Sequence, residues 1–226
     1  MRKEVSITVP NDWSAITLRK YLQIQSDLES YKDDEDAQTA FLLYHLCGLT
    51  PEITSKLDVN TVSNIKDDLQ KLLNKQDYEL TRLVKIEDTE YGFEPNLANM
   101  AYGAYLDLSK FETLSIDKNW PTIMSILYRE VTKKHGVLYD IKAYSGVNKQ
   151  QQERWMDVSM DVHFSTFFFF NRIYKDLLNA ILKSLKEGVS MQEMQHPHIL
   201  QILEESGEAI KALQSLQERT YSNLMR

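Results

Sequence analysis

The sequence predicts a mainly α-helical protein with two related helical units, joined by a small β-hairpin and followed by a helical C-terminal arm. Two properties of the whole chain favour helices. Glycine and proline are scarce, with 7 and 5 residues among 226, which is too few for a loop-rich β-barrel or β-sandwich. Apolar residues recur at helical spacing in most segments. A third property, a recurring apolar pattern, predicts that the helices form two similar units.

The recurring pattern occurs once near the N-terminus and once in the middle of the chain. Residues 16–24 align on residues 100–108, and without a gap residues 42–44 then fall on residues 126–128. A duplicated packing unit explains this match better than a duplicated active site, because the matched positions are almost all of the type that buries surface. The matched pairs are Ile16/Met100, Leu18/Tyr102, Tyr21/Tyr105, Leu22/Leu106, Ile24/Leu108, Leu43/Leu127 and Tyr44/Tyr128.

This pattern divides the chain into three parts. We expect an N-terminal helical unit in residues 1–79, which ends in a polar stretch typical of a linker. Residues 80–187 hold the β-hairpin and the second helical unit, including a long phenylalanine-rich helix. Residues 188–226 form an amphipathic helical C-terminal arm.

The first unit begins with a short strand and a capped helix. Residues 5–9 alternate apolar and polar side chains and end at Pro10, which is typical of an edge strand. Thr17 or Ser14 can cap the next helix, because a hydroxyl oxygen there accepts a hydrogen bond from a free backbone N–H. The helix carries one face at helical spacing, made of Leu18, Tyr21, Leu22, Gln25 and Leu28.

Three more helices complete the first unit. The four acidic residues 33–36 favour a helix N-terminus, where the helix dipole stabilises carboxylates. A calcium loop is the lesser alternative, since the central glycine and alternating ligands of an EF-hand are missing. The helix ends at Gly48, and Thr50 with Pro51 starts the next. Asn60 opens a longer helix bearing Val62, Ile65, Leu69, Leu72 and Leu73.

The second unit mixes a hairpin, a further strand and two helices. Residues 83–86 and 91–93 flank a polar turn and predict the β-hairpin. Trp120 and the following proline open a helix that we extend through Tyr128. Residues 138–141 form a strand in this interpretation. A long helix then runs over residues 156–186.

Four consecutive phenylalanines lie in the long helix. Their rings occupy most of the helix circumference, so they cannot all face one flat partner. Burying each ring is worth about 2 kcal/mol. We favour the centre of the core for them and keep a subunit interface as the alternative. These candidate interaction residues are Phe167, Phe168, Phe169 and Phe170.

The C-terminal arm carries a narrow apolar stripe among glutamine, glutamate and lysine residues. A narrow stripe is typical of a coiled-coil seam rather than of a full core face. The arm either packs back on its own domain or binds a neighbouring subunit. Its candidate interaction residues are Ile199, Leu203, Ile210 and Leu213.

Candidate catalytic and metal-binding residues are few. Cys47 is the only cysteine, which excludes an internal disulfide and a thiolate metal cluster. His196 and His198 flank a proline and cannot share a helix face, which favours exposed rings over a metal site. His45 and His163 lie in apolar helices and are typical of core histidines. Phosphate loops and nucleophile elbows are missing from the sequence. We therefore predict no catalytic residue, metal, cofactor or enzymatic activity.

The chain is acidic, with a net charge of −7 and a pI near 5.3. This charge makes nucleic-acid binding through a general basic field unfavourable. Arg129, Lys133 and Lys134 leave a DNA-contacting role as an alternative. No segment holds the roughly 18 apolar residues of a membrane span, and the N-terminus lacks the apolar core of a signal peptide. We expect a soluble protein of a reducing compartment, with no membrane partner.

Several motifs resemble known bacteriophage proteins. The second half is similar to a family of uncharacterised proteins encoded among the virion genes of tailed bacteriophages, including crAss-like phages. The first half resembles the helical tail-assembly-chaperone type of phage protein. The residues that carry the first resemblance are 90–97 (EYGFEPNL), 100–108 (MAYGAYLDL), Trp120, 124–129 (MSILYR), 139–146 (YDIKAYSG) and the helix at 167–178. Those of the second are Val9-Pro10, Trp13, residues 16–21 and Pro51-Glu52-Ile53.

The resemblance implies a non-enzymatic structural or assembly protein of a tailed bacteriophage. Such a protein binds other virion proteins near the tail, neck or capsid, and it can also form a homo-oligomer. It is expected in the virion, or in the host cytoplasm during assembly. The alternatives are a tail assembly chaperone absent from the mature particle, a DNA-contacting packaging protein, and a hydrolase or lytic factor.

Overall fold

The computed structural model describes residues 7–111 and 114–186 of the chain. It shows a mixed α/β protein, about 52% helical, with a four-stranded antiparallel sheet. The prediction of a mainly α protein with only a small hairpin was therefore wrong. The described helices are α1 (Leu18–Ser30), α2 (Glu35–Cys47), α3 (Pro51–Thr54), α4 (Val59–Leu73), α5 (Tyr102–Leu108), α6 (Trp120–Leu127), α7 (Lys149–Met156) and α8 (Met160–Lys186).

The sheet is an antiparallel meander in which each strand pairs with the next along the chain. The predicted hairpin is confirmed and forms the first two strands. The predicted strand at residues 138–141 is confirmed as the fourth. The strands are β1 (Leu83–Ile86), β2 (Thr89–Phe93), β3 (Tyr128–His135) and β4 (Leu138–Ile141).

Strand β3 is one of the elements that sequence reasoning missed, as is helix α7. The predicted helix through Tyr128 stops one residue earlier, because Tyr128 has an extended backbone with φ −113° and ψ 126°. From there β3 pairs with β2 on one side and with β4 on the other. Val131 and Thr132, two β-branched residues, suit this conformation. Pairing with two neighbours is a tertiary effect and overrides the helical spacing of the preceding residues.

The helix starts in the first half follow their capping side chains. Thr17, rather than Ser14, caps α1 by accepting a hydrogen bond from the backbone N–H of Lys20. Asp34 caps α2, which confirms the acidic run as a helix N-terminus, and Gly48 ends it with φ 69°. Thr50 caps α3 as predicted. Asp58 caps α4, so this helix starts just before the predicted Asn60.

The two halves do not fold alike. Helix α1 has 13 residues, whereas the aligned α5 has 7. Leu18 is fully buried in α1, whereas the aligned Tyr102 is 73% exposed. Tyr44 lies on the surface of α2, whereas the aligned Tyr128 is buried and begins a strand. The prediction of two related helical units was therefore wrong, because the recurring spacing reflects helix amphipathicity and not a shared tertiary environment.

One hydrophobic core cluster includes residues from both sides of residue 80. The start of α1 and the segment before α8 form a short antiparallel bridge between Thr17 and Ser159. Leu18 N donates to Val158 O over 3.0 Å, and Met160 N donates to Ile16 O over 2.7 Å. Large fully buried side chains of the cluster are Leu18, Leu43, Phe93, Trp120, Tyr128, Trp155 and Met160.

The remaining predictions on the chain ends have mixed outcomes. Residues 7–9 adopt no strand, and residues 5 and 6 lie outside the described residues. The long helix begins at Met160 rather than residue 156. Helix α7 ends at Met156, and residues 157–159 separate the two helices. The division at residues 79 and 187 stays a prediction, and the arm at 188–226 lies outside the described residues.

Candidate functional site

The four phenylalanines at residues 167–170 are half-buried and pack against the core. Each of them meets an aromatic ring of another element, so they join α8 to α6, to the segment before β1 and to β2. Ring-centroid distances are 6.0 Å for Phe167–Trp120, 5.4 Å for Phe168–Tyr78, 5.5 Å for Phe169–Phe93 and 6.3 Å for Phe170–Phe93. A role of these residues in partner binding stays a prediction.

The other predicted interaction residues lie in the C-terminal arm. Ile199, Leu203, Ile210 and Leu213 lie outside the described residues, as does the histidine pair around Pro197. Their role therefore stays a prediction.

The later part of β3 and strand β4 form a two-stranded ribbon, which we call the β-arm (residues 131–141). Strand β3 pairs with β2 only through Tyr128, Arg129 and Glu130, whereas its later residues pair with β4 alone. The turn at the tip has Gly136 at φ 64°, a conformation that favours glycine. The tip is apolar and open to solvent, since Val137 is 94% exposed and Leu138 is 70% exposed.

The β-arm also carries positive charge. Lys134 pairs with Glu90 of β2 over 2.6 Å, and His135 lies 3.4 Å from Asp140 of β4. Lys133 is exposed, and no carboxylate of the described residues lies within 4 Å of its ammonium group. The tip therefore combines two apolar side chains with an unpaired cation.

A second exposed apolar surface is the α5 face, which we define as Tyr102, Tyr105 and Leu106. These positions are spaced by three and four residues and so lie next to each other on the helix. The two tyrosine rings are nearly parallel at 6.3 Å, and Ala104 turns to the core and is fully buried. The sequence pattern treated these positions as core, because their exposure depends on which side of a short helix the rest of the chain covers.

The α5 face lies beside the base of the β-arm. Tyr144, three residues after β4, donates its hydroxyl hydrogen to Asp107 of α5 over 2.5 Å. Burial of Tyr144 and this hydrogen bond both raise the pKa of its hydroxyl. Lys110 and then Tyr144 lower the pKa of the Asp107 carboxyl. The contact fixes α5 to the segment that leaves the β-arm.

Arg129 anchors the base of the β-arm. Its guanidinium donates to the backbone oxygen of Lys142 over 2.8 Å, to that of Ile126 over 3.1 Å, and to the carboxylate of Glu94. The ion pair with Glu94 is almost fully buried. Arg129 therefore holds three segments together and is not presented to solvent. Of the three cations considered for DNA contact, only Lys133 is exposed and unpaired among the described residues.

The buried His163 joins two tryptophans. Trp120 Nε1 donates to His163 Nδ1 over 3.0 Å, so the ring is neutral and its Nε2–H donates to the Trp155 backbone oxygen at 3.1 Å. Burial lowers the pKa of His163 to about 3. The expected core histidine bonded to the backbone is confirmed.

His45 belongs to a polar row that sequence reasoning missed. Lys20 Nζ lies 2.6 Å from His45 Nδ1, and Asp27 lies 3.3 Å from the other ring nitrogen. Burial and then the charge of Lys20 lower the pKa of His45. Lys20 and Asp27 lie two turns apart on α1, and only the packing of α1 against α2 brings His45 to them. The lysine orients a neutral ring, and this contact joins α1 to α2.

Two recesses border helix α7. The first is a cavity of about 60 Å³ between α7 and strand β3, where Arg154 donates to the Tyr91 hydroxyl over 2.7 Å. Its volume suits about two water molecules rather than an organic substrate. The second is an open groove of about 670 Å³ between β1 and α7, with Val84 and Ile86 on one side and Glu153 on the other.

The described residues also bear on membrane and metal binding. None of their helices is long and apolar enough to cross a membrane. In the same part of the chain, no three histidine, cysteine or acidic side chains converge as a metal site would require.

No protein-family model, curated protein or solved structure matches this chain.

Proposed function

We propose that this chain works by binding other proteins, as a non-enzymatic structural or assembly protein of a tailed bacteriophage. The observation that carries the binding role is the β-arm, whose apolar tip at Val137 and Leu138 is exposed. Exposed apolar side chains at the tip of a hairpin are typical of an interaction site. The proposed partners are virion proteins near the tail, neck or capsid.

The build of the β-arm supports a binding role. A two-stranded ribbon is marginally stable by itself, and among the described strands β3 beyond Glu130 forms its backbone ladder with β4 alone. Contact with a partner would cover the tip and complete the packing of the ribbon. Burying Val137 and Leu138 is worth about 3 kcal/mol or more in total. Most of the free energy of binding would therefore come from burying these two tip side chains, which the single chain leaves exposed.

The phage assignment rests on the motif resemblance. Two of the motifs map onto the surfaces just described, since residues 100–108 include the α5 face and residues 139–146 include the end of β4 and Tyr144. We propose the virion, or the host cytoplasm during assembly, as the location. A DNA-packaging role has less support, because Arg129 and Lys134 are engaged by Glu94 and Glu90.

Mass spectrometry of purified particles tests this proposal. We expect peptides of the chain in constant proportion to the other structural proteins of the phage that encodes it. A chain missing from particles but co-purifying with tail proteins from infected cells would instead be an assembly chaperone. A chain found neither in particles nor with any virion protein would contradict the proposal.

A further inference from the structure

We propose that two copies of this chain exchange their β-arms, so that each tip packs on the α5 face of the other copy. The inference deepens the proposed binding role and rests on it, and it names a second copy of the chain as one partner. Both surfaces are exposed, apolar and presented by the same chain: Val137 and Leu138 at the tip, and Tyr102, Tyr105 and Leu106 on α5.

The α5 face of the same chain is not the receiver of the tip. The hydrogen bond between Tyr144 and Asp107 places α5 at the base of the β-arm. Val137 and Leu138 are exposed in the single chain, so they do not pack on its own α5 face.

Symmetry then favours a closed pair. The β-arm and the α5 face are neighbours, so a two-fold axis that brings one tip to the other copy's α5 also creates the reciprocal contact. Such an interface closes at two copies and leaves neither tip uncovered. The contact is made twice, which doubles the apolar area that one tip would bury alone.

The charges of the two surfaces match as well. Lys133 is unpaired among the described residues and lies three residues from the turn, while the two tyrosines present ring faces that attract a cation. The same contact occurs within the chain, where Lys75 Nζ lies 5.1 Å from the centre of the Tyr78 ring.

The first test measures the mass of the purified chain in solution. Light scattering after gel filtration should give two chains of 26.4 kDa each. Leu138→Glu and Tyr102→Glu should each raise the dissociation constant at least about 100-fold, since each change places two charges in the symmetric interface. Val59→Glu is the matched control, because Val59 is 85% exposed on α4, and it should leave the pair intact.

Folding of the variants does not complicate this test. All three replaced side chains are exposed, so circular dichroism spectra should match that of the parent chain, as should thermal unfolding at concentrations below the parent's dissociation constant. A monomer at all concentrations, an oligomer larger than two, or equal weakening by Val59→Glu would each overturn the arm exchange.

A second test identifies the contacting residues through disulfide formation. In a Cys47→Ser background, Val137→Cys and Tyr102→Cys chains are mixed under mild oxidation. Arm exchange predicts a mixed disulfide between the two variants. Disulfides only between like chains would place tip on tip or α5 on α5 and would overturn the proposal.

The outcomes separate this inference from the proposed function. A monomer that is nevertheless found in phage particles contradicts the arm exchange alone. A dimer that is absent from particles and from complexes with virion proteins contradicts the proposed function alone.

Discussion

At the scale of single residues, Gly92 determines how closely β2 and β4 approach each other. A Cβ atom at Gly92 would lie 2.5 Å from Tyr139 Cε2 and 2.9 Å from Ile141 Cγ2. The Tyr139 ring cannot easily move aside, because its hydroxyl donates to the Phe93 backbone oxygen over 2.8 Å. The glycine is therefore required by close packing of a side chain over the sheet, and not by a positive φ.

We expect Gly92→Ala to lower the free energy of unfolding by about 1–3 kcal/mol, because the added methyl group displaces Tyr139 from the sheet. Urea denaturation measures this change. Gly103→Ala is the control, since its Cβ would lie at an ordinary 3.5 Å from Tyr144 and alanine favours a helix. Equal effects of the two substitutions would contradict the packing argument.

His163 makes the stability of the protein depend on pH. Its pKa is about 3 in the folded chain and about 6.5 when unfolded, so the unfolded chain binds the proton more readily. The contribution of the neutral ring is complete above pH 6.5 and is lost as the pH falls towards 3. Between pH 6.5 and pH 5 this loss amounts to about 2 kcal/mol.

We expect His163→Gln to remove this loss, because an amide can make similar hydrogen bonds to Trp120 and Trp155 without titrating. Urea denaturation at pH 7 and pH 5 should show a smaller difference in unfolding free energy for the variant than for the parent chain. Gly92→Ala serves as the control, since it destabilises the chain without removing the histidine. A variant with the parental pH dependence would contradict the role of His163.

At the scale of elements, local signals were sufficient for some parts of the fold. Helix caps at Thr17 and Thr50 and the end at Gly48 follow from one or two side chains, and the sequence predicts them. The β1–β2 hairpin is equally local. Strand β3 was missed because it depends on pairing with two other strands. One of them, β2, ends 35 residues before Tyr128 in the sequence.

The candidate binding surfaces were only partly predictable for the same reason. Residues 138–141 were expected to form a strand, but nothing in their sequence indicates that the tip is exposed. Gly136 before Val137 is the one local sign of a hairpin turn there. The exposure of Tyr102 on α5 runs against its apolar spacing, since in this seven-residue helix only Ala104 is fully buried and Leu108 packs partly against the core.

At the scale of the whole molecule, hydrogen bonds and packing connect the first helices to the rest of the chain. Trp13 Nε1 donates to the Leu72 backbone oxygen over 3.2 Å, and Trp13 N donates to the Asp161 carboxylate of α8 over 3.1 Å. Arg172 of α8 donates to the Tyr78 backbone oxygen over 3.0 Å. A duplicated pair of independent units would not need such contacts. The shared core cluster points to one cooperative unit over the described residues.

We therefore expect a core substitution in α4 to weaken distant elements as well. Leu69→Ala removes a side chain buried in the shared cluster and should cost about 2–5 kcal/mol. Hydrogen exchange followed by mass spectrometry should then show faster exchange of protected amides in both α4 and α6, because both open in the same global transition. Val59→Ala, at an exposed position of α4, should change neither. Faster exchange confined to α4 would show that residues 1–79 open as a separate unit, contrary to the cooperative interpretation.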